Sequence, residues 1–214
     1  MGQYYMPTLI EPEDGSIKTL YSHDYDNGLK LMEHSYIGND FMDAVSSLIW
    51  KHPMKVAWIG DYSNEPYDPN ESYSSKMPHE EFMEFYNSVW TEEGEKKHKV
   101  HPEPVKHIGI RHKNRFIINH TQKCFIKIGD YISRSKSKEL TYWKNGKHLD
   151  EPMYFDMCVH PLPLLTACGN DRGGGDYREG FPGYEHVGTW AFDIIEISDK
   201  APKDYTSVNY EFRD

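Results

Sequence analysis

The hydrophobic period changes along this chain, and that change restricts the fold more than any single motif does. Phe41, Met42, Val45, Leu48 and Ile49 recur at helical spacing, behind Asn39 as a capping residue and ahead of Pro53, which stops a helix. Phe82, Phe85, Tyr86 and Val89 repeat that stripe behind Pro78. In the second half the apolar runs are short and strand-like: Phe116–Ile118, Cys124–Ile128, Leu140–Trp143, Lys147–Leu149, Trp190–Ile197 and Val208–Phe212. Asn145-Gly146 suits the two positive φ angles of a type I′ hairpin. Residues 3–10 and 16–22 predict a further hairpin around Glu13–Ser16, and Val56–Ile59 a strand closing at Gly60-Asp61-Tyr62. The expectation is an α+β fold: a mostly antiparallel sheet with two main helices, about 39–51 and 78–92. A single domain over 1–214 is expected, with long loops at about 63–77, 93–107 and 169–187.

Composition narrows the function classes. The net charge of −10 lacks the basic footprint of a nucleic-acid binder, so nucleic acid is not an expected partner. The local basic run Lys96, Lys97, Lys99, Lys106, Arg111, Lys113 and Arg115 reads as a solvated loop. No apolar run approaches the ~20 residues of a membrane span, and Met1–Tyr5 lacks the charged and apolar regions of a signal peptide. Cys124, Cys158 and Cys168 form no C-x-x-C pair, which argues against a disulfide framework or zinc ribbon and fits a reducing cytoplasm. Apolar residues are 37% of the chain but aromatics 14%, so the core is expected to use few, large side chains.

Four stretches could carry chemistry. The first is Gly169-Asn170-Asp171-Arg172-Gly173-Gly174-Gly175-Asp176-Tyr177. Consecutive glycines are costly to order, and their amides can form an anion-binding nest, to which Arg172 could add a bidentate grip. Neither a Walker-type Gly-Lys-Ser/Thr nor a G-x-G-x-x-G follows. Packing of the loop beneath an aromatic neighbour is the competing explanation. The second is a carboxylate–histidine site. Asp61, Asp130 and Asp176 stand at expected strand or loop ends, where they could meet His34, His120, His160 or His186 and hold a divalent metal. His34, Asp61, His160 and Asp176 are the catalytic candidates of that reading. The third, Asp24–Gly28, begins like a calcium loop but has Ser35 where the bidentate glutamate belongs, so an Asx turn is expected. The fourth, Cys158 two residues before His160, could share a strand face, without any nucleophile elbow to support it. Gly-Asp-Tyr occurs at 60–62, 129–131 and 175–177 without a regular period, and reads as a strand-breaking turn.

Three segments taken together carry a resemblance: Met1–Tyr5; Leu31–Asn39 running into Val56–Tyr62; and His160–Ala167 followed by the Gly169–Tyr177 loop. The combination resembles uncharacterised proteins of gut bacteria and their phages, and Asn119-His120-Thr121 extends a looser likeness to other hypothetical proteins. The resemblance implies no activity and no site residues. It implies association with a mobile element, a setting of inhibitors and ligand-sequestering proteins. The function expected is binding of a small anionic or nucleotide-like ligand through Gly169, Asn170, Arg172, Gly173, Gly174, Gly175 and Tyr177. A metal-assisted hydrolase and an acidic protein–protein inhibitor are the alternatives.

Overall fold

The computed structural model of the protein describes residues 3–64, 78–109, 112–144, 147–169 and 177–213. In chain order the strands are β1 Tyr5–Ile10, β2 Ile17–Thr19, β3 Met54–Gly60, β4 Phe116–Asn119, β5 Cys124–Lys127, β6 Lys136–Lys144, β7 Lys147–Cys158, β8 Ala167–Cys168, β9 Asp193–Ser198 and β10 Thr206–Ser207. The α-helical segments are α1 Leu31–His34, α2 Asp40–Leu48, α3 His79–Val89, α4 Glu92–His98, α5 Ile128–Ser135 and α6 Pro161–Leu165. The fold is α+β, with six such segments among the described residues rather than two main helices.

The sheet runs β10-β5-β4-β9-β3-β1-β2, with β8 joined to β3. Most pairings are antiparallel; β3–β8 and β5–β10 are parallel. β3 is its hub. One edge pairs with β1 from Tyr5↔Gly60 to Ile10↔Lys55. The other edge is divided: Met54–Val56 pair antiparallel with β9, and Trp58–Ile59 pair parallel with β8. Phe192 lies at the splice. Its N–H donates to the Val56 carbonyl (2.8 Å) from a left-handed backbone, φ 61°, a conformation that costs a bulky L-residue about 1–3 kcal/mol. β6 and β7 form a separate hairpin with Lys144 opposite Lys147; Asn145 and Gly146 lie outside the described residues.

Both faces of β3 are covered, so its residues alternate between two cores. Met54, Val56 and Trp58 pack with α2 and α6 residues, including Phe41, Val45 and Leu164. Ala57 and Ile59 pack with Phe82 and Tyr86 of α3 and with Phe192. α2 starts where expected, with Asn39 Oδ1 accepting the Met42 N–H at 2.7 Å.

Three expectations are corrected. Residues 92–98 are helix, not loop: Thr91 accepts the Gly94 N–H, acids occupy the first turn and bases the last, matching the helix dipole. Asp130 is not at a strand-ending turn but in α5, whose Ile128, Tyr131 and Ile132 are buried as a helical stripe. The apolar run His160–Ala167, for which the sequence predicted no element, contains α6 with Pro161 in its first turn. Val208–Phe212 is irregular rather than strand: Phe212 is buried and Val208 and Tyr210 pack on the core without a ladder of their own.

Candidate functional site

The parallel pairing of β3 with β8 ends at Ile59 level with Cys168, and the next residue on each is glycine, Gly60 closing β3 and Gly169 following β8. The two glycines admit the same neighbours. A Cβ on Gly60 would strike the Gln3 carboxamide, and one on Gly169 would strike Tyr5 Oη and Gln3 Oε1. Gln3 is buried, and Tyr5 Oη donates to its Oε1 at 2.9 Å. Close packing over an aromatic hydroxyl therefore explains Gly169. The Gly-rich segment's far anchor, Tyr177, is also buried. Its hydroxyl accepts the Arg213 N–H (2.9 Å) and contacts the Pro182 carbonyl, while its ring meets Phe212 edge-on. Asn170, Arg172, Gly173, Gly174, Gly175 and Asp176 lie outside the described residues.

Asp61 closes the β1–β3 ladder. Its N–H donates to the Tyr4 carbonyl (2.9 Å) and its Oδ1 accepts the Tyr4 N–H (3.0 Å). The Tyr86 hydroxyl donates to its carbonyl at 2.6 Å. Burial pushes its carboxyl above the usual range, opposed by these backbone N–H groups.

His34 and His160 are core residues. Leu31 starts the one-turn α1 that carries His34 inward, where Nδ1–H donates to the Gly28 carbonyl (3.0 Å) and Nε2 accepts the Trp58 indole N–H (3.0 Å). Both nitrogens are satisfied by a neutral ring, and burial lowers the pKa to about 4. His160 caps α6: Nδ1 accepts the Leu162 N–H at 3.2 Å. Its proton therefore sits on Nε2, which is buried and has no partner among the described residues. Burial lowers this pKa to about 3. The chain brings the two histidines onto adjoining segments, the His160 N–H donating to the Ser35 carbonyl (2.8 Å), but each ring serves a different local bond.

Cys158 and His160 form no dyad. The Cys158 Sγ faces the Val159 carbonyl at 3.8 Å, and burial pushes the thiol up to about 12. Asp24 lies in a short 3₁₀ turn and pairs with Lys99 at 2.8 Å, and Asp26 takes a left-handed φ. The basic run is partly spent in contacts: Arg115 lies over the Trp50 ring, and His107 and His101 stack on Trp50 and Tyr25. Among the described residues no group of three or more His, Cys, Asp or Glu is placed to hold a metal ion. None of their helices is long and apolar enough to cross a membrane.

Two polar features escape a reading by motif. His120 Nε2 meets Glu196 (2.8 Å) and Nδ1 meets the Tyr205 hydroxyl (3.2 Å), linking β4, β9 and the segment before β10. A cleft of about 470 Å³ lies between α3 and the β2-β1-β3 surface. Its wall residues Glu81, Glu84, Phe85 and Ser88 repeat at helical spacing beside the core stripe, and that second stripe is the signal that could have found it. No family model, curated protein or solved structure matches the chain.

Proposed function

We propose that the protein binds a small anionic or nucleotide-like ligand at the sheet edge where β3 and β8 end, through the Gly-rich segment 169–177. The observation that supports this reading is the parallel pair itself, closing on Gly60 and Gly169 at one edge. The pairing with β3 fixes where the Gly-rich segment leaves the sheet, and the amides of that segment are the ones offered to an anion, because those after β3 are used locally, Asp61 N–H on the Tyr4 carbonyl and Ser63 N–H on the Gly60 carbonyl. The buried residues Gln3, Tyr5 and Tyr177 hold the base and far end of the Gly-rich segment, which lowers the entropy lost on binding. Arg172 supplies the cation, and a divalent metal between Asp171, Asp176 and a ligand phosphate would offset their repulsion. The mobile-element association implied by the sequence resemblance suits a ligand-sequestering role.

The test is thermal unfolding with nucleoside mono-, di- and triphosphates and with inorganic phosphate, each with and without Mg²⁺. Ligand at a hundred times its Kd adds about 2.7 kcal/mol, which for a chain of this size raises Tm by roughly 5–10 °C. Arg172→Ala is expected to remove most of that rise while leaving the ligand-free Tm within about 2 °C. A flat response to every anion, or a rise that Arg172→Ala leaves intact, would overturn the proposal.

A further inference from the structure

The cleft between α3 and the sheet is built from two regular patterns. Across β2, β1 and β3 the register aligns Ile17, Ile10 and Lys55 in one row. Lys55 lies on the same face of β3 as Ala57 and Ile59, because side chains alternate along a strand. The helix α3 buries Ala57 and Ile59 with its Phe82 and Tyr86, and leaves the Lys55 end uncovered. Its neighbouring stripe, Glu81, Glu84 and Phe85, forms the wall. Phe192 closes the inner end, its ring edge-on to Phe85 at 5.5 Å.

The lining is therefore an apolar and aromatic floor between two kinds of charge. Glu81, Glu84 and Lys55 are exposed, and among the described residues they make no ion pair with one another. The left-handed backbone of Phe192 is held where its ring completes the cleft. Strained backbone concentrates at binding sites, where the surrounding structure over-determines it.

We propose that this cleft binds a small organic cation with an apolar body, of the aralkylamine class. The volume of about 470 Å³ falls within the range of small-ligand pockets, roughly 300–1,000 Å³. Glu81 and Glu84 take the ammonium group, and Ile10, Ile17, Phe85 and Phe192 cover the apolar body, with a cation–π contribution from the rings. Two carboxylates against one lysine set the preference for a cation. Lys55 adds affinity for a ligand that also carries a carboxylate, so a free amine and an apolar amino acid share the chemistry and differ at Lys55. This site is independent of the sheet edge bearing Gly60 and Gly169.

The test is titration of the intact protein by NMR or calorimetry with phenethylamine, phenylalanine and the uncharged 2-phenylethanol, up to about 10 mM. Phenethylamine is expected to saturate and 2-phenylethanol to bind about tenfold more weakly. Glu81→Gln with Glu84→Gln should weaken phenethylamine about five- to tenfold, with ligand-free Tm lowered by no more than about 2–4 °C, the loss of the first-turn charge of Glu81 on the α3 dipole. Lys55→Gln should weaken phenylalanine only. Phe85→Leu should weaken every ligand. Absence of saturable binding by both amine and amino acid would overturn the proposal. So would amine affinity unmoved by the double glutamine variant, or a preference for 2-phenylethanol.

Discussion

The Trp58 indole N–H donates to Nε2 of His34 across 3.0 Å, joining the central strand to α1. Both residues are fully buried, so neither group can turn to water when its partner is lost. His34→Leu is expected to cost about 2–4 kcal/mol, from an orphaned indole N–H, an orphaned Gly28 carbonyl and imperfect packing. Trp58→Phe should cost less in the His34→Leu background than in the wild type, because there the indole N–H has already lost its acceptor and its removal leaves no further group unpaired. A double-mutant cycle by urea unfolding measures this, and additive effects would remove the coupling.

Acid stability follows from the two core histidines. In the folded state burial holds His34 at about 4 and His160 at about 3, against an ordinary histidine value near 6.5. Between those limits the unfolded chain binds more protons, so stability falls as pH drops below about 6.5. Asp43 acts in the opposite sense: burial raises it to about 6, so its ionised form is penalised at neutral pH and relieved as pH falls toward 4. The histidines outweigh it, and the net loss from pH 7 to pH 4.5 is about 3 kcal/mol. Urea midpoints across that range check the slope, which His34→Gln should flatten. An unchanged midpoint down to pH 4.5 would contradict neutral buried rings.

Gly169 is expected to reject a methyl group. A Cβ there would lie 2.6 Å from Gln3 Oε1 and closer still to the Tyr5 hydroxyl. Gly169→Ala should cost about 1–3 kcal/mol. Tyr5→Phe, by deleting the obstructing oxygen, should recover part of that loss in the double variant. Chemical denaturation of the four proteins decides between steric conflict at this contact and a general intolerance of the segment.

The three thiols should be inert in the folded protein. Cys124, Cys158 and Cys168 are buried, and burial raises them to about 11, 12 and 12. Thiolate is the reactive form, so labelling by a disulfide reagent at pH 8 should require opening and should accelerate sharply above the urea midpoint. Rapid labelling of Cys158 under native conditions would revive it as a nucleophile.

The His120 contacts should be felt locally. His120→Ala removes the link from Glu196 to Tyr205, while the amides of Thr206 and Val208 remain bonded to the carbonyls of Lys123 and Phe125. Hydrogen exchange at those two amides should speed up about fivefold, with exchange at Val56 and Trp58 unchanged. Uniform acceleration would mean a global loss instead.

Local signals were enough for the elements whose cause is local. Asn39 and the following stripe specify α2, and the polar turn at Glu13–Ser16 specifies the β1–β2 hairpin, because capping and period act between residues a few positions apart. Thr91 with its acid-then-base pattern is a local signal of the same kind for α4, but the expectation of a loop over 93–107 passed it over. Asp130 and Val208–Phe212 were misread because a Gly-Asp step and an alternating apolar run are each compatible with two structures, and packing selects one. Only tertiary structure decided the roles of the candidate site residues. His34 acquires a bond to Trp58, 24 residues away, and Asp61 one to Tyr4, 57 away. The divided edge of β3, the contact of Gly169 with Tyr5 and the cleft under α3 arise from pairings between distant segments. A residue's neighbours along the chain hold no record of them.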